Sequence, residues 1–366
     1  MKLRSLLFLT AAMLLVFAPK AALAEMNRSL FRSPEALAMG GAYTAIVEDR
    51  DAAFYNPAGV AAYDSLSLHL IDTDPTISDW VVSGWKTLQN IKNPTGASLN
   101  TLMGKNISVS DTTSTAVLAP GFALIGFYDV QGALYAKNQA FPKIEYGYQT
   151  TSGVQAAFGY SIQDGRKRGR GKRNADSLNE WRFGIGAKFL SRTGGYRLLT
   201  AAELFSINGT NVKNYIGGQG RGYGADLGVQ RIQRLNENTT AYWGAAFLNV
   251  GDVTFGNGAS PQRGDLSTGV GIRYKQGMAA VTVAYDIQQM NVSDDFSKKQ
   301  NIGMKLSLPL LDLFGGFHQG FLTYGAAFDV WVLRVAATVY REELGPYQNE
   351  NPENRFALRV DFKLNL

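Results

Sequence analysis

The last stretch of the chain alternates strictly between apolar and polar side chains. The apolar positions are Phe356, Leu358, Val360, Phe362, Leu364 and Leu366, and the polar positions between them are Arg355, Arg359, Asp361, Lys363 and Asn365. A period of two is typical of a β-strand, whose successive side chains point to opposite faces. One face of this strand suits lipid and the other suits water, as in the wall of a membrane barrel.

The same alternation recurs along most of the chain. It is clear over residues 181–189, 266–274 and 281–287. We count roughly 12 to 14 strands near the length that a tilted spanning strand needs. A soluble β-sandwich is the alternative, because alternation alone fits both folds. The small residues on the polar faces and the alternating last strand favour an all-β membrane protein, an antiparallel transmembrane β-barrel of about 14 strands.

One segment follows a helical rather than a strand period. Its apolar positions are Trp80, Val81, Trp85 and Leu88, followed by Leu99, Leu102 and Met103. This spacing predicts a small helical insertion, an amphipathic pair at about residues 77–105. Two interpretations stay open: a lid packed on the barrel mouth, or a site where Trp80 and Trp85 line a path for a hydrophobic ligand.

The N-terminus has the pattern of a secretory signal peptide. Lys2 and Arg4 precede the apolar stretch Leu6 to Ala18, and small residues end at Ala24. An anchoring helix is the alternative, but the apolar run is shorter than the roughly 20 residues that span a bilayer. We therefore predict a signal peptide at residues 1–24, followed by an exported chain without a spanning helix.

Composition narrows the chemistry. The chain contains 40 Gly, 17 Tyr and 20 Phe, has no Cys, and its two histidines are His69 and His318. The lack of Cys excludes a disulfide scaffold and a Cys-ligated metal. We expect His69 on a barrel face without a partner and His318 in a loop, so a serine hydrolase is disfavoured. The sequence predicts no catalytic residues, no metal and no cofactor.

Charge is concentrated at two places. Half of the formal net charge of +6 belongs to Lys2, Arg4 and Lys20 in the leader. A loop holds six further basic residues, Arg166, Lys167, Arg168, Arg170, Lys172 and Arg173. This loop is either solvated or an anion-binding loop for phosphates of lipopolysaccharide or of a lipid headgroup. The remaining charges are balanced, which argues against nucleic acid as a partner.

Residues 33–61, SPEALAMGGAYTAIVEDRDAAFYNPAGVA, contain two short helical units. Ser33 is a good N-cap, Pro34 suits the first helical position, and Gly40 with Gly41 ends the first unit. Asn56 can cap a second unit. The unit continues through Pro57 and Ala58 to Gly59. These features predict a compact N-terminal plug at residues 25–64, placed inside a barrel formed by residues 65–366.

The motifs AMGGAYTA and FYNPAGVA, within residues 38–61, resemble the N-terminal region of the long-chain fatty-acid transporter (FadL) superfamily. That superfamily includes aromatic-hydrocarbon channels of the TodX kind and the PorV-like and TraF-like outer-membrane proteins. The resemblance implies a 14-stranded barrel with a plug. Its plug motif corresponds to Gly40, Gly41, Asn56, Pro57, Ala58 and Gly59, which either fold the plug or gate it. The resemblance also implies a hydrophobic ligand path, which we assign to Phe54, Tyr55, Trp80 and Trp85.

Two functional hypotheses follow. The first is a channel in the bacterial outer membrane for uptake of small hydrophobic compounds such as long-chain fatty acids. The second is a non-transporting PorV-like or TraF-like component in protein secretion or envelope organisation. The charged lumen face of the last strand, Arg355 to Lys363, disfavours an apolar conduit. Predicted partners are outer-membrane lipids, lipopolysaccharide, a hydrophobic small molecule, and the assembly machinery that reads the last strand.

The alternation also gives a topology. If the C-terminus lies in the periplasm, the connection at 342–354 is extracellular, and the short links near 276 and 330 fall on opposite sides of the membrane.

Overall fold

The computed structural model describes residues 29–86, 101–137, 143–164, 179–200, 203, 217–293, 295–345 and 347–366. The predicted signal peptide, residues 25–28 of the plug segment, the middle of the helical insertion and all six basic loop residues lie outside these ranges. Among the described residues, no helix has the length and apolar character needed to cross a membrane.

Fifteen strand segments form one antiparallel sheet that closes on itself. They are β1 Ser67–Thr73, β2 Thr76–Ser78, β3 Asn106–Ala119, β4 Phe122–Lys137, β5 Lys143–Asp164, β6 Asn179–Thr200, β7 Gln219–Arg234, β8 Thr239–Leu248, β9 Asp265–Gln276, β10 Ala279–Ile287, β11 Gln300–Leu308, β12 Leu311–His318, β13 Phe321–Val330, β14 Leu333–Glu343 and β15 Pro352–Asn365. Both β1 and β2 pair with β3 on one side and with β15 on the other. They are therefore two pieces of one wall strand, and the structure is a closed β-barrel of 14 strands.

The wall has an apolar outside and a charged inside. On β15, Phe356 and Leu358 are 42% and 41% exposed, whereas Arg355 and Arg359 are 3% and 5% exposed. A soluble sandwich would bury the apolar face and expose the charged one. The distribution excludes the sandwich and confirms the membrane-barrel prediction.

The two ends of the barrel differ in their connections. At one end, which we call the turn end, tight links at 120–121, 277–278, 309–310 and 331–332 join neighbouring strands. The last strand also finishes at the turn end, where Asn365 pairs with Ser67. The opposite end, the loop end, carries the longer connections at 249–264, 288–299 and 344–351. Short turns are usual on the periplasmic side of outer-membrane barrels.

The predicted topology was wrong at one point. The links near 276 and 330 lie at the same end, because four strands separate them rather than an odd number. The error arises near His318, which the sequence predicts in a loop but which ends β12, before the two-residue turn Gln319-Gly320. Asp164 and Asn179, the described residues that flank the basic segment, pair with each other at the turn end. Anion binding by the basic segment stays a prediction.

The N-terminal segment fills the lumen, as predicted. It contains helix α1 (Pro34–Ala38), helix α2 (Ala52–Tyr55) and a 3₁₀ helix (Pro57–Ala62). Ser33 caps α1, with its Oγ accepting from the amide of Ala36 at 3.4 Å. Gly40 and Gly41 have φ angles of 64° and 87°, in the left-handed region where glycine is tolerated without strain.

Short helices also lie at the loop end of the barrel, in the part of the chain that the structure describes. Helix α3 (Asp79–Ser83) contains the first residues of the predicted insertion, and α4 (Phe296–Lys299) precedes β11. Trp80 packs against Gly84 below it, whereas Trp85 is 55% exposed. Asn354 of β15 donates to Asp79 at 2.9 Å, which fixes α3 on the rim of the barrel.

Candidate functional site

The plug lies directly against the barrel wall at lumen-facing glycines. A Cβ atom added at Gly184 would overlap the backbone of Pro57 and Ala58, and one at Gly228 would overlap the side-chain oxygen of Asn56. The same close approach recurs at Gly159, Gly244, Gly303, Gly316 and Gly325. The small residues on the polar strand faces therefore have a specific purpose: they allow backbone-to-wall contact around the plug.

Polar side chains of the wall satisfy the backbone of the plug. Gln230 donates to the carbonyl of Val47 at 3.0 Å, and Thr323 donates to that of Ala38 at 3.0 Å. The Oδ2 atom of Asp286 accepts from two successive plug amides, at 2.8 and 2.7 Å. Buried backbone groups are costly when they have no partner. These contacts explain why an irregular segment can be buried inside the barrel.

Asn56 is the best-connected residue of the predicted plug motif. Its Oδ1 accepts from the amide of Ala58 at 3.1 Å, which caps the 3₁₀ helix. Its Nδ2 donates to the carbonyls of Thr44 at 2.9 Å and Val229 at 3.2 Å. The side chain thus joins two plug segments to β7. Gly40, Gly41 and Gly59 also lie at close contacts. These contacts fit a folding role for the motif, and a gating role stays a prediction.

A buried charge cluster fixes the plug to the last strand. Arg359 of β15 binds Asp51 of the plug at 2.8 Å and Asp74 of the wall at 2.9 Å. Arg50 of the plug pairs with Asp72 of the wall. Burial alone would raise the pKa of Asp51, but Arg359 holds it at about 2. Asp51 is therefore ionised at neutral pH, and Arg359 connects the plug to the wall.

Further ion pairs surround the plug. Glu35 binds Arg334 at 2.6 Å, and Glu48 binds both Arg182 at 2.8 Å and Arg273 at 2.9 Å. Many of the charged side chains that face the lumen are therefore engaged in ion pairs with the plug. The expectation that His69 has no partner was wrong, since its Nδ1 lies 2.9 Å from both Asp361 oxygens. Its partner lies 292 positions away, beyond the reach of local patterns.

The second histidine, His318, also has a buried partner. His318 is buried, and its Nδ1 contacts the side-chain oxygen of Asn301 at 3.0 Å. No group of three or more metal-ligating side chains occurs within the described part of the chain. The predicted absence of catalytic residues, metal and cofactor stays a prediction.

A cleft lies between the plug and the wall, on the side facing the loop end. Its cavity volume is about 40 Å³, and it is partly open to solvent. On its plug side Phe31 and Phe54 stack with ring centroids 4.4 Å apart, and Tyr55 meets Phe31 edge-on at 6.5 Å. Its wall side is polar, with Lys188, Asn249, Asp265, Ser267 and Gln288.

The cleft contains two of the four aromatic residues of the predicted ligand path. Phe54 and Tyr55 lie there, whereas Trp80 and Trp85 are on or beside the rim helix α3 and line no part of it. Sequence reasoning missed Phe31. The available signal was a pair of apolar residues, Leu30 and Phe31, directly before the cap of α1.

We expect the close wall contacts to make glycine essential at Gly184. Gly184→Ala places a methyl group against the backbone of Pro57, which cannot move without displacing the plug, and should cost about 1–3 kcal/mol. Gly315→Ala is the matched control, because a Cβ there meets nothing within 4 Å. Urea unfolding in lipid vesicles measures the free energy of unfolding of both variants. Equal stability of the two variants would contradict tight seating of the plug.

Comparisons with known proteins give structural likenesses only. The chain matches no protein-family model and no curated protein. The toluene transporter TbuX of Ralstonia pickettii is 13% identical over 93% of this chain and 99% of that chain, with a TM-score of 0.45. The toluene transporter TodX of Pseudomonas putida is 13% identical over 92% and 98%, with a TM-score of 0.43. The CymD monoaromatic hydrocarbon channel is 12% identical over 91% and 97%, with a TM-score of 0.41.

At these values the likeness supports no statement about function, and the fold rests on the strand pairing described above.

Proposed function

We propose that this protein lies in the bacterial outer membrane and admits small hydrophobic compounds, which first meet the plug at the cleft beside Phe31, Phe54 and Tyr55. The observation that carries the proposal is this opening between plug and wall on the loop-end side, within a closed barrel whose outer face is apolar.

The location is supported by the wall itself. The exposed apolar side chains of β15, the tight connections at the turn end and the predicted signal peptide agree with outer-membrane insertion. In this orientation the turn end faces the periplasm and the loop end faces the medium. A compound from outside would then reach the cleft before it reaches the plug.

The cleft favours compact compounds over long chains. Its aromatic side is short and faces a polar wall at Lys188 and Asp265, so a long acyl chain would place methylene groups against charged side chains. Long-chain fatty acids are therefore the less favoured substrates within this proposal.

One observation supports the second hypothesis, a non-transporting envelope component. The plug is tied to the wall by ion pairs at Asp51, Glu35 and Glu48, which resist its displacement. Such a component would need a stable protein partner. Crosslinking in intact cells, followed by purification of the barrel, would recover that partner reproducibly, and its absence would count against this hypothesis.

Binding of 1-N-phenylnaphthylamine to the protein in lipid nanodiscs tests the cleft. Phe54→Ala removes one ring of the stacked pair and should weaken binding about tenfold, equivalent to about 1.4 kcal/mol. Trp85→Ala is the matched control, since Trp85 is exposed and does not line the cleft. If both variants bind the dye as tightly as the native protein, the cleft is not the site.

A further inference from the structure

The outer face of β6, β7 and β8 ends near the turn end in a row of three large side chains. Trp181 of β6, Arg231 of β7 and Trp243 of β8 are direct cross-strand neighbours in this row. We propose that the row is a binding site for the phosphate group of an anionic phospholipid, in the membrane leaflet at the turn end. The site lies outside the barrel and does not depend on the proposed transport. The position of the row, the geometry of its rings and the chemistry of its cation support it.

The alternation of β7 places Arg231 on the outside of the barrel. Its neighbours Gln230 and Ile232 are buried, and Gln230 contacts the plug, so the side chain between them points away from the lumen. Arg231 is the fourth residue from the end of β7. Farther from that end, the outward-facing side chains of the same two strands, such as Phe183 and Leu227, are apolar and exposed. The row therefore lies at the border of the apolar belt, where lipid headgroups begin.

The two indole rings lean toward each other over the arginine. The guanidinium carbon of Arg231 lies 4.8 Å from the ring centroid of Trp181, which is a cation–π contact. The ring centroids of Trp181 and Trp243 are 6.2 Å apart with an interplanar angle of 77°. Alternate strands of a sheet lie about 9.5 Å apart, so both rings must incline over β7 to come this close. The guanidinium is thus held in place before a ligand arrives, and less side-chain freedom is lost on binding.

A guanidinium at this border of the belt suits a phosphate. Its planar fork of N–H donors matches two phosphate oxygens at once. Because a guanidinium carries five such donors, Arg231 can bind a phosphate and keep its contacts with the protein. The attraction between opposite charges is also stronger in the partly dehydrated interface than in bulk water. A zwitterionic headgroup brings a cation of its own, which Arg231 repels, so a headgroup with net negative charge is favoured.

The opposite border of the same belt is built differently. There Phe189 of β6 and Tyr223 of β7 are cross-strand neighbours, with ring centroids 5.3 Å apart. Arg221 lies two residues beyond Tyr223 on the same face of β7 and is exposed. Within the described part of the chain, no aromatic ring stacks on the guanidinium of Arg221. Arg221 is therefore a matched control for Arg231, because it has the same strand and face but no indole row.

Native mass spectrometry of the protein purified in detergent tests the site, by titration with phosphatidylglycerol and with phosphatidylcholine of the same acyl chains. We expect the first phosphatidylglycerol to bind about tenfold more tightly than phosphatidylcholine. Arg231→Gln should reduce this ratio to less than about twofold, and Arg221→Gln should leave it unchanged. Trp243→Leu removes one ring and keeps the charge, so it should give an intermediate ratio.

Each ratio compares two lipids on the same folded variant, so it does not depend on how much of that variant folds. A ratio for Arg231→Gln equal to that of the native protein would overturn the site. An equal loss of preference in Arg231→Gln and Arg221→Gln would show that general surface charge, and not the row, selects the lipid. Inorganic phosphate in large excess should not displace the lipid, because it has no acyl chains to pack on Phe183. Displacement by phosphate would indicate a site for a soluble anion and contradict the lipid assignment.

Discussion

Deletion of residues 33–61 is expected to convert a closed barrel into an open, poorly selective pore. The plug contributes no strand to the sheet, whose hydrogen bonds run from wall strand to wall strand around the full circle. Without the plug, lumen-facing charges such as Arg182, Arg334 and Arg359 would be hydrated, and water would fill a barrel of this size. Planar-bilayer recording should show a change from background current to resolved open-pore currents.

Assembly of the shortened protein must be verified independently. Outer-membrane extracts compared before and after boiling should show the faster migration of an unheated, folded barrel for both native and shortened protein. If the shortened protein shifts in this way yet conducts no more than the native one, then the plug does not close the lumen. Cells carrying the shortened protein should also become sensitive to large polar antibiotics, a change that hydrophobic uptake alone would not cause.

Replacement of Arg359 should be the most disruptive single substitution in the lumen. Arg359→Met leaves Asp51 and Asp74 buried close together without their shared cation, whereas Asp72 keeps its pair with Arg50. Loss of one partner from a buried pair typically costs about 3–5 kcal/mol. We expect a loss of this size in urea unfolding within vesicles, together with frequent opening events in bilayer recordings as the plug leaves the wall.

Two variants control for the loss of an arginine and for the role of charge. Arg341→Met removes an exposed arginine of β14, which contacts only Asn354 and the ring of Phe321 among the described residues, and should change stability by less than about 0.5 kcal/mol. Adding Asp51→Asn to Arg359→Met removes one uncompensated carboxylate and should recover part of the loss, because the two residues share one interaction. A double variant as unstable as the sum of its single variants would show that Asp51 and Arg359 are not coupled.

Local patterns were sufficient for the elements of this fold. The alternation on β15 correctly predicted which residues face lipid and which face the lumen, since strand geometry alone determines that division. Ser33, Pro34 and Asn56 correctly predicted the short helical units, because caps act within a few residues. The predicted strand number also agrees with the 14 strands of the barrel. The main irregularity is that one wall strand is interrupted between β1 and β2.

Contacts between residues distant in sequence could not be predicted from local patterns. The pairing of His69 with Asp361 joins residues near opposite ends of the chain, and the cleft combines Phe31 with Asp265. The sequence shows small residues on the polar strand faces, but it does not show that the plug packs directly against these glycines. The expectation of a loop at His318, which instead ends β12, reversed the predicted side of one turn. In each case the decisive partner is distant in sequence.

Uptake of radiolabelled naphthalene and 1-naphthol by intact cells tests the central claim most directly. Cells producing the native barrel should accumulate both compounds faster than cells without it, Phe54→Ala should reduce the gain, and Trp85→Ala should not. Equal uptake with and without the native barrel, in cells whose outer membranes contain the folded protein, would contradict a role in the entry of hydrophobic compounds.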